Sequence, residues 1–288
     1  MPSLQDIRRR IRSVKNTQQV TKAMKMISAV KLRKSQDRLL ALRPYAAKLH
    51  GLVAEVVARF EDGSAPATPL AQAFLTPREE RRIQIAIVAS DKGLCGGFNA
   101  NLLKTAEAFL QDCTADVVRM DLIGKRAVDW ARKRKLEGGL PHAGVPLEGL
   151  LALSKELAEE AVRRYAAGEL DAFYILHNHF NSALSQAPKV VKVFPVAPPE
   201  APVGPVSHLL EPDAGTVLEA LLPRFVEVET LRSLLESATS EHAARMSAMD
   251  KASTNAAEMI DKLTLNMNKV RQAAITNQII EVVSGAAS

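Results

Sequence analysis

Aromatic side chains are scarce in this chain, 4% of its residues with a single Trp. Long helices need Leu, Ala and Met along their contacts more than large rings, so the scarcity suits helical rods. Only two cysteines occur, Cys95 and Cys113. They lie far apart and without metal-ligand companions, which excludes a disulfide framework and favours free thiols. No apolar run reaches the roughly 18 residues that a membrane-spanning helix needs. The start of the chain lacks the apolar core of a signal peptide, and Asp6 together with the continuing helical pattern argues against a transit peptide. Hydrophobic residues make up 47% of the chain, which excludes disorder as the general state.

What is present is periodic. From about Asp213 to Val283 two apolar series run at heptad spacing. One is Leu221, Val228, Leu235, His242, Met249, Ala256, Leu263 and Val270; the other passes through Leu218, Phe225, Arg232, Thr239, Met246, Ser253, Ile260 and Met267. A seam repeated so often reads as a coiled coil, with Arg232, Thr239 and His242 as polar defects in it. About 70 residues of helix span roughly 105 Å, more than a small domain can enclose. A second helix covers Ser3 to Phe60. Ser3 and Asp6 form a capping-box pattern, and Pro44 is expected to kink the helix without ending it.

Charge is divided between these two helices. Residues 1–60 hold 14 Lys and Arg against 3 Asp and Glu, whereas residues 206–288 hold 7 against 11. A basic and an acidic helix suit each other as antiparallel partners, and the surplus positive charge must face something else.

The middle has a different texture. Residues 62–77, with Gly63, Pro66, Pro69 and Pro77, read as a linker. Strands are expected at Ile83–Ala89, Val117–Gly124, Asp171–Asn178 and Lys189–Val196, the last at an edge because Pro195 ends it. Helices fall at about 100–110, 126–134 and 150–167, and a Gly/Pro-rich stretch covers 138–146. Strands alternating with helices imply a mainly parallel sheet. The division is therefore 1–60 as an N-terminal coiled-coil helix, 61–205 as an α/β foot, and 206–288 as a C-terminal coiled-coil helix.

Three features invite a chemical reading. The Gly93–Gly97 loop follows a strand and precedes a helix, as phosphate loops do, but it matches neither common glycine pattern, and a tight turn explains it as well. Cys95 has no nearby His to activate it. His177 and His179 point to one side of a strand and could begin a metal site, but no carboxylate or Cys stands near them in sequence, so they read as a surface loop. The basic N-terminal helix could bind nucleic acid, although it lacks interleaved aromatics. No catalytic, cofactor-binding or metal residue is assigned. A nucleotide-binding enzyme and a basic coiled-coil nucleic-acid binder stand as alternatives to a mechanical role.

Six motifs carry a resemblance. They are Ile7-Arg-Arg-Arg-Ile-Arg-Ser-Val-Lys-Asn-Thr-Gln-Gln-Val-Thr-Lys-Ala-Met-Lys-Met-Ile, Lys31-Leu-Arg-Lys-Ser-Gln, Ser90-Asp-Lys-Gly-Leu-Cys-Gly-Gly-Phe-Asn, Ser240-Glu-His-Ala-Ala-Arg-Met-Ser-Ala-Met, Arg271-Gln-Ala-Ala-Ile-Thr and Glu281-Val-Val-Ser-Gly-Ala. With these the chain resembles, over essentially its whole length, the gamma subunits of F-type ATP synthases. The resemblance implies a long antiparallel two-helix coiled coil with an inserted Rossmann-like α/β domain. It implies a non-catalytic central-stalk rotor, without cofactor, one copy per proton-translocating complex. Its partners would be the alpha and beta subunits of an alpha3beta3 hexamer, the epsilon subunit and the membrane c-ring, with no nucleic acid and no membrane span. Rotor–stator contacts are expected from Lys22, Met24, Lys25, Arg245, Arg271, Gln272 and Thr276, and a bearing tip from Ile279, Ile280, Val282 and Val283. The expected place is the cytoplasmic face of a bacterial plasma membrane.

Overall fold

A computed structural model of the chain describes residues 3–60, 68–75, 78–136, 139–195 and 210–286, leaving aside the side chains of residues 75, 281 and 283–286. The elements in order are α1 (Leu4–Ala58), α2 (Pro69–Leu75), β1 (Arg82–Val88), α3 (Phe98–Asp112), β2 (Asp116–Ile123), α4 (Lys125–Lys133), β3 (Gly139–His142), α5 (Leu150–Ala166), β4 (Ala172–Phe180), β5 (Gln186–Phe194) and α6 (Ala214–Ala286).

Both long helices begin on side-chain caps. The Asp6 amide donates to Ser3 Oγ at 3.2 Å, and the Ser3 amide donates back to Asp6 Oδ2 at 3.3 Å. This is the reciprocal capping box with Asp in the place of Glu. At the start of α6 the Thr216 amide donates to Asp213 Oδ1 at 2.9 Å. Pro44 lies inside α1, which continues past it.

The chain divides into two compact units. One comprises residues 1–29 and 245–288, the other residues 30–244. In the first, Ile7, Thr21 and Ser28 of α1 are buried, as are Arg245, Met249, Ser253 and Ala256 of α6. Small and polar residues dominate this seam, so the helices are held with less apolar surface than a Leu-rich coiled coil would bury. Lys25 Nζ reaches Asp250 Oδ1 at 2.6 Å across the pair.

In the second unit the same helices bury larger residues: Leu32, Leu39, Leu49, Val53 and Val56 from α1, and Leu218, Leu222, Phe225, Val228 and Leu235 from α6. The edge of His50 lies on Phe225, with ring centroids 4.8 Å apart.

The sheet has five strands in the order β3-β2-β1-β4-β5. β1, β2, β3 and β4 are parallel, and β5 is antiparallel to β4 at the edge. One face packs Ile83, Ile85 and Ile87 against Leu102 and Ala106 of α3 and Trp130 of α4. Gly124 makes the turn from β2 into α4 at φ +85°, where any Cβ would stand 2.3 Å from the Ala89 carbonyl oxygen.

Two elements depart from the sequence reading. The stretch 62–77 is not wholly a linker, because α2 forms within it (residues 61–67 and 76–77 lie outside the described residues). Phe74 anchors α2, with its ring 4.6 Å from Tyr165 and 5.2 Å from Phe194, while Tyr165 Oη donates to the Ala73 carbonyl at 2.9 Å. The Gly/Pro-rich stretch 138–146 also holds a strand, β3, paired parallel to β2. Its Pro141 is tolerated because β3 is an edge.

Candidate functional site

The part of α6 from Glu229 to Ser240 is the polar centre of the larger unit. Heptad periodicity alone makes Arg232 and Thr239 defects in an apolar seam. The fold gives both a role. Thr239 is buried and returns its hydroxyl hydrogen to the Leu235 carbonyl at 2.7 Å. Arg232 lies between two buried carboxylates, with Nη2 at 2.5 Å from Glu229 Oε2 and Nη1 at 3.4 Å from Glu236 Oε1.

The network continues to both sides. Glu229 Oε1 lies 2.6 Å from His50 Nε2 on α1. Glu236 Oε2 lies 3.1 Å from His177 Nε2 and is also hydrogen bonded to His179 Nδ1, both on β4. Burial alone would raise the Glu236 pKa. The hydrogen bond and charge of His177, the His179 hydrogen bond and the Arg232 charge outweigh it and bring the group to about 2. Burial holds His177 below the ordinary histidine range, more than Glu236 raises it. Burial likewise opposes ionisation of Glu229, but His50 and Arg232 hold its carboxyl below the usual value.

Next to this network α6 is fastened to the sheet. Ser237 Oγ donates to the Val88 carbonyl at the end of β1 at 3.0 Å, and Ser240 Oγ donates to the Asn178 carbonyl on β4 at 3.0 Å. Both hydroxyls are buried. In open parallel sheets the crevice beyond the carboxyl ends of the strands, where strand order reverses, is where ligands bind. Here order reverses between β1 and β4, and α6 fills that crevice.

The glycine loop confirms the point from its own side. Asn99 closes it, taking the Ser90 amide on Oδ1 at 3.1 Å and giving Nδ2 to Ser90 Oγ at 2.8 Å. The carboxylate of Asp91 sits beside it, accepting the Lys125 and Gly144 amides at 2.9 and 3.0 Å. Those amides are thereby taken by a carboxylate, whose charge repels phosphate. Leu94 and Gly96 supply the left-handed backbone of the turn, at φ 61° and 58°. The tight-turn reading of this loop holds.

The expected contact residues fall in the smaller unit. Lys22 is exposed and Met24 half-buried. Lys25 is tied to Asp250 at 2.6 Å. Arg245 is buried, at 8% exposure. Arg271, Gln272 and Thr276 are exposed, and Thr276 Oγ1 donates back to the Gln272 carbonyl at 3.0 Å. From 271 to 280 every residue of α6 is exposed. Ile279, Ile280 and Val282 stand open at 57%, 59% and 71%. Val283 lies in α6, with its side chain outside the described residues.

His177 and His179 are not a surface loop. They sit in the sheet, and the carboxylate that the local sequence lacks arrives from α6 as Glu236. The signal that could have found it is the pair of acidic residues Glu229 and Glu236, one heptad apart on α6.

The comparisons with known proteins agree with this geometry. A family model described as ATP synthase matches residues 3–288. The ATP synthase gamma chain of Solibacter usitatus (strain Ellin6076) is 49% identical over 289 residues, covering 100% of this chain and 99% of that protein. The ATP synthase gamma chain of Pelotomaculum thermopropionicum is 40% identical over 290 residues, covering 100% and 99%. Among solved structures, a chain of the Euglena gracilis mitochondrial ATP synthase F1 and c-ring assembly superposes with a TM-score of 0.65 at 17% identity, over 99% of this chain and 93% of that one. A chain of the Tetrahymena thermophila mitochondrial ATP synthase central stalk and c-ring gives 0.57 at 22% identity, over 81% and 99%. These two likenesses are of fold.

Proposed function

Since the chain belongs to the ATP synthase gamma-chain family, we propose that it is the rotor of the complex, carrying torque between a membrane c-ring and an alpha3beta3 catalytic head. It is a subunit of an ATP synthase, not a catalyst by itself. One copy serves each complex, with the epsilon subunit and the c-ring on the foot formed by residues 61–205. The place is the cytoplasmic face of a bacterial plasma membrane, in keeping with bacterial relatives and with the finding that no helix among the described residues is long and apolar enough to cross a membrane.

One observation carries the reading. α6 is a single helix of 73 residues, fastened to the sheet by the buried Ser237, Ser240 and Glu236 contacts and leaving every residue from 271 to 280 exposed. A torque-bearing element needs a fixed grip at one place. It also needs a weakly binding surface at another, because a bearing that bound tightly would not turn. Ile279, Ile280, Val282 and Val283 supply an apolar surface with little directional preference, the expected lining of a bearing. Lys22, Met24, Lys25, Arg245, Arg271, Gln272 and Thr276 are the contacts to the head in this reading. Lys25 and Arg245 act with an additional constraint, since Lys25 already pairs with Asp250 and Arg245 is buried.

The crevice a nucleotide would occupy is filled by α6. The test is co-purification of the tagged chain with a hexameric ATPase, followed by Met24→Lys in the reconstituted complex. The expected result is retained assembly with weakened coupling of ATP hydrolysis to proton pumping. Unchanged coupling removes Met24 from the contact set, and failure to bind the hexamer removes the rotor assignment.

A further inference from the structure

Two imidazoles and a carboxylate converge where β4 meets α6. His177 Nε2, His179 Nδ1 and Glu236 Oε2 all lie within 4.8 Å of one another. Ligand atoms held about 2.0–2.1 Å from a tetrahedral first-row ion stand roughly 3.3–3.4 Å apart, so a small opening of this cluster seats such an ion. The histidines are two residues apart on a strand and therefore share a face. Both imidazole nitrogens face the same carboxylate oxygen, so the protons they share with it occupy the place that a cation would take.

The surroundings favour a cation. The side chain of Glu236 is 2% exposed and that of His177 is 1% exposed, whereas His179 is 32% exposed and opens the cluster to solvent on one side. Arg232 holds the other oxygen of Glu236 at 3.4 Å, and Glu229 holds Arg232 at 2.5 Å. The carboxylate is thus oriented through the oxygen that does not face the histidines, as in metal sites whose ligands are fixed by outer partners. Two buried carboxylates face one guanidinium, and His50 stands against Glu229, so His177, His179 or an ion is left to balance Glu236.

We propose that His177, His179 and Glu236 form a three-ligand site for a divalent transition ion of the zinc type, which pins β4 to α6. Two nitrogens and a carboxylate oxygen suit zinc over calcium or magnesium, which prefer all-oxygen shells. The inference rests on side-chain geometry and stands apart from the rotor reading.

The test uses the full chain, stripped with EDTA and titrated with zinc chloride by calorimetry and by competition with a chromophoric chelator. The expected result is one zinc per chain, bound at least tenfold more weakly by His179→Ala and by Glu236→Gln, the scale seen when a metal site is disturbed. Cys113→Ala, removing a half-buried thiol, leaves the affinity unchanged. The proposal is overturned if excess zinc gives no binding. It is also overturned if wild type and His179→Ala bind equally, if Cys113→Ala abolishes binding, or if a folded Glu236→Gln binds as wild type does. Should Glu236→Gln lose its circular-dichroism signature, the partly exposed His179→Ala decides alone.

Discussion

Ser237 on α6 gives its hydroxyl hydrogen to the carbonyl oxygen of Val88, the last residue of β1, at 3.0 Å. A helix from the far end of the chain thus occupies the position at which nucleotide-binding sheets of similar topology meet their ligand. A site otherwise suited to catching a small molecule is spent on holding a helix. The same choice explains polar residues beside the α6 seam, since Ser237, Ser240 and Glu236 meet carbonyls and imidazoles of the sheet.

Ser237→Ala leaves the buried Val88 carbonyl without this donor. An unsatisfied buried group costs about 1–3 kcal/mol. The expected outcome in urea unfolding of the isolated chain is a lower midpoint with an unchanged slope, the signature of lost stability without a change in exposed surface. A midpoint equal to wild type would show that the carbonyl finds another partner.

Asp121 predicts an acid dependence. Burial alone would raise its pKa, but hydrogen bonds from His142, Arg119 and Gln84 and the charge of Arg119 outweigh that and hold it below the usual value. The unfolded chain therefore takes up the proton first as pH falls. The stabilising contribution is complete above the unfolded pKa near 4 and is lost as pH drops through the lowered folded value. In Asp121→Asn, stability starts lower at neutral pH and falls less steeply below about pH 4. Equal slopes for the two proteins would assign the acid sensitivity elsewhere.

How much was readable follows from the range of each interaction. The seams of α1 and α6 were legible because a heptad repeats many times, so Arg232, Thr239 and His242 could interrupt it without hiding it. β1 was legible as a short run rich in β-branched residues, Ile83, Ile85, Ile87 and Val88. β3 was not: four residues that include Gly139 and Pro141 carry too little pattern, and only pairing with β2 makes them a strand. α2 was hidden by flanking prolines, because its stability comes from one ring, Phe74, in a distant aromatic cluster. The metal-like cluster was half legible. The histidine spacing is local, whereas Glu236 stands 57 residues beyond His179 and is brought there by the fold.

Phe74→Ala tests the account of α2. Phe74 is 1% exposed, with its ring against Tyr165 and Phe194. Removing a buried Phe side chain costs about 3–5 kcal/mol, through lost burial and the cavity left behind. The measured quantity is the unfolding free energy, and amide exchange is expected to rise first in α2, which has no other large buried anchor among the described residues. A loss below about 1 kcal/mol would mean that the cluster closes over the gap.

Asp250→Asn tests how far the smaller helix pair depends on charge. The Lys25–Asp250 pair is close, at 2.6 Å, but the two side chains are 44% and 55% exposed. Water and salt screen such a pair, so its loss is expected to cost about 0–1 kcal/mol and to disappear at high salt. A larger cost that persisted in salt would place the pair in a drier setting than its exposure implies.

Deletion of residues 279–288 separates folding from function at the end of α6. From 271 to 280 every residue is exposed, and Ile279, Ile280 and Val282 are more than half open. Side chains that bury little in the isolated chain contribute little through burial to its stability. The truncated chain is therefore expected to unfold at the wild-type midpoint, within about 0.5 kcal/mol as for surface changes generally. The same apolar surface is costly in water once it is contiguous, which gives it reason to be covered in a complex. Truncation is accordingly expected to reduce the yield or activity of the reconstituted ATPase, while the isolated chain is unaffected. If the deletion instead destabilised the isolated chain by several kcal/mol, the tip would be packing within the chain, and the bearing assigned to it would have to be given up.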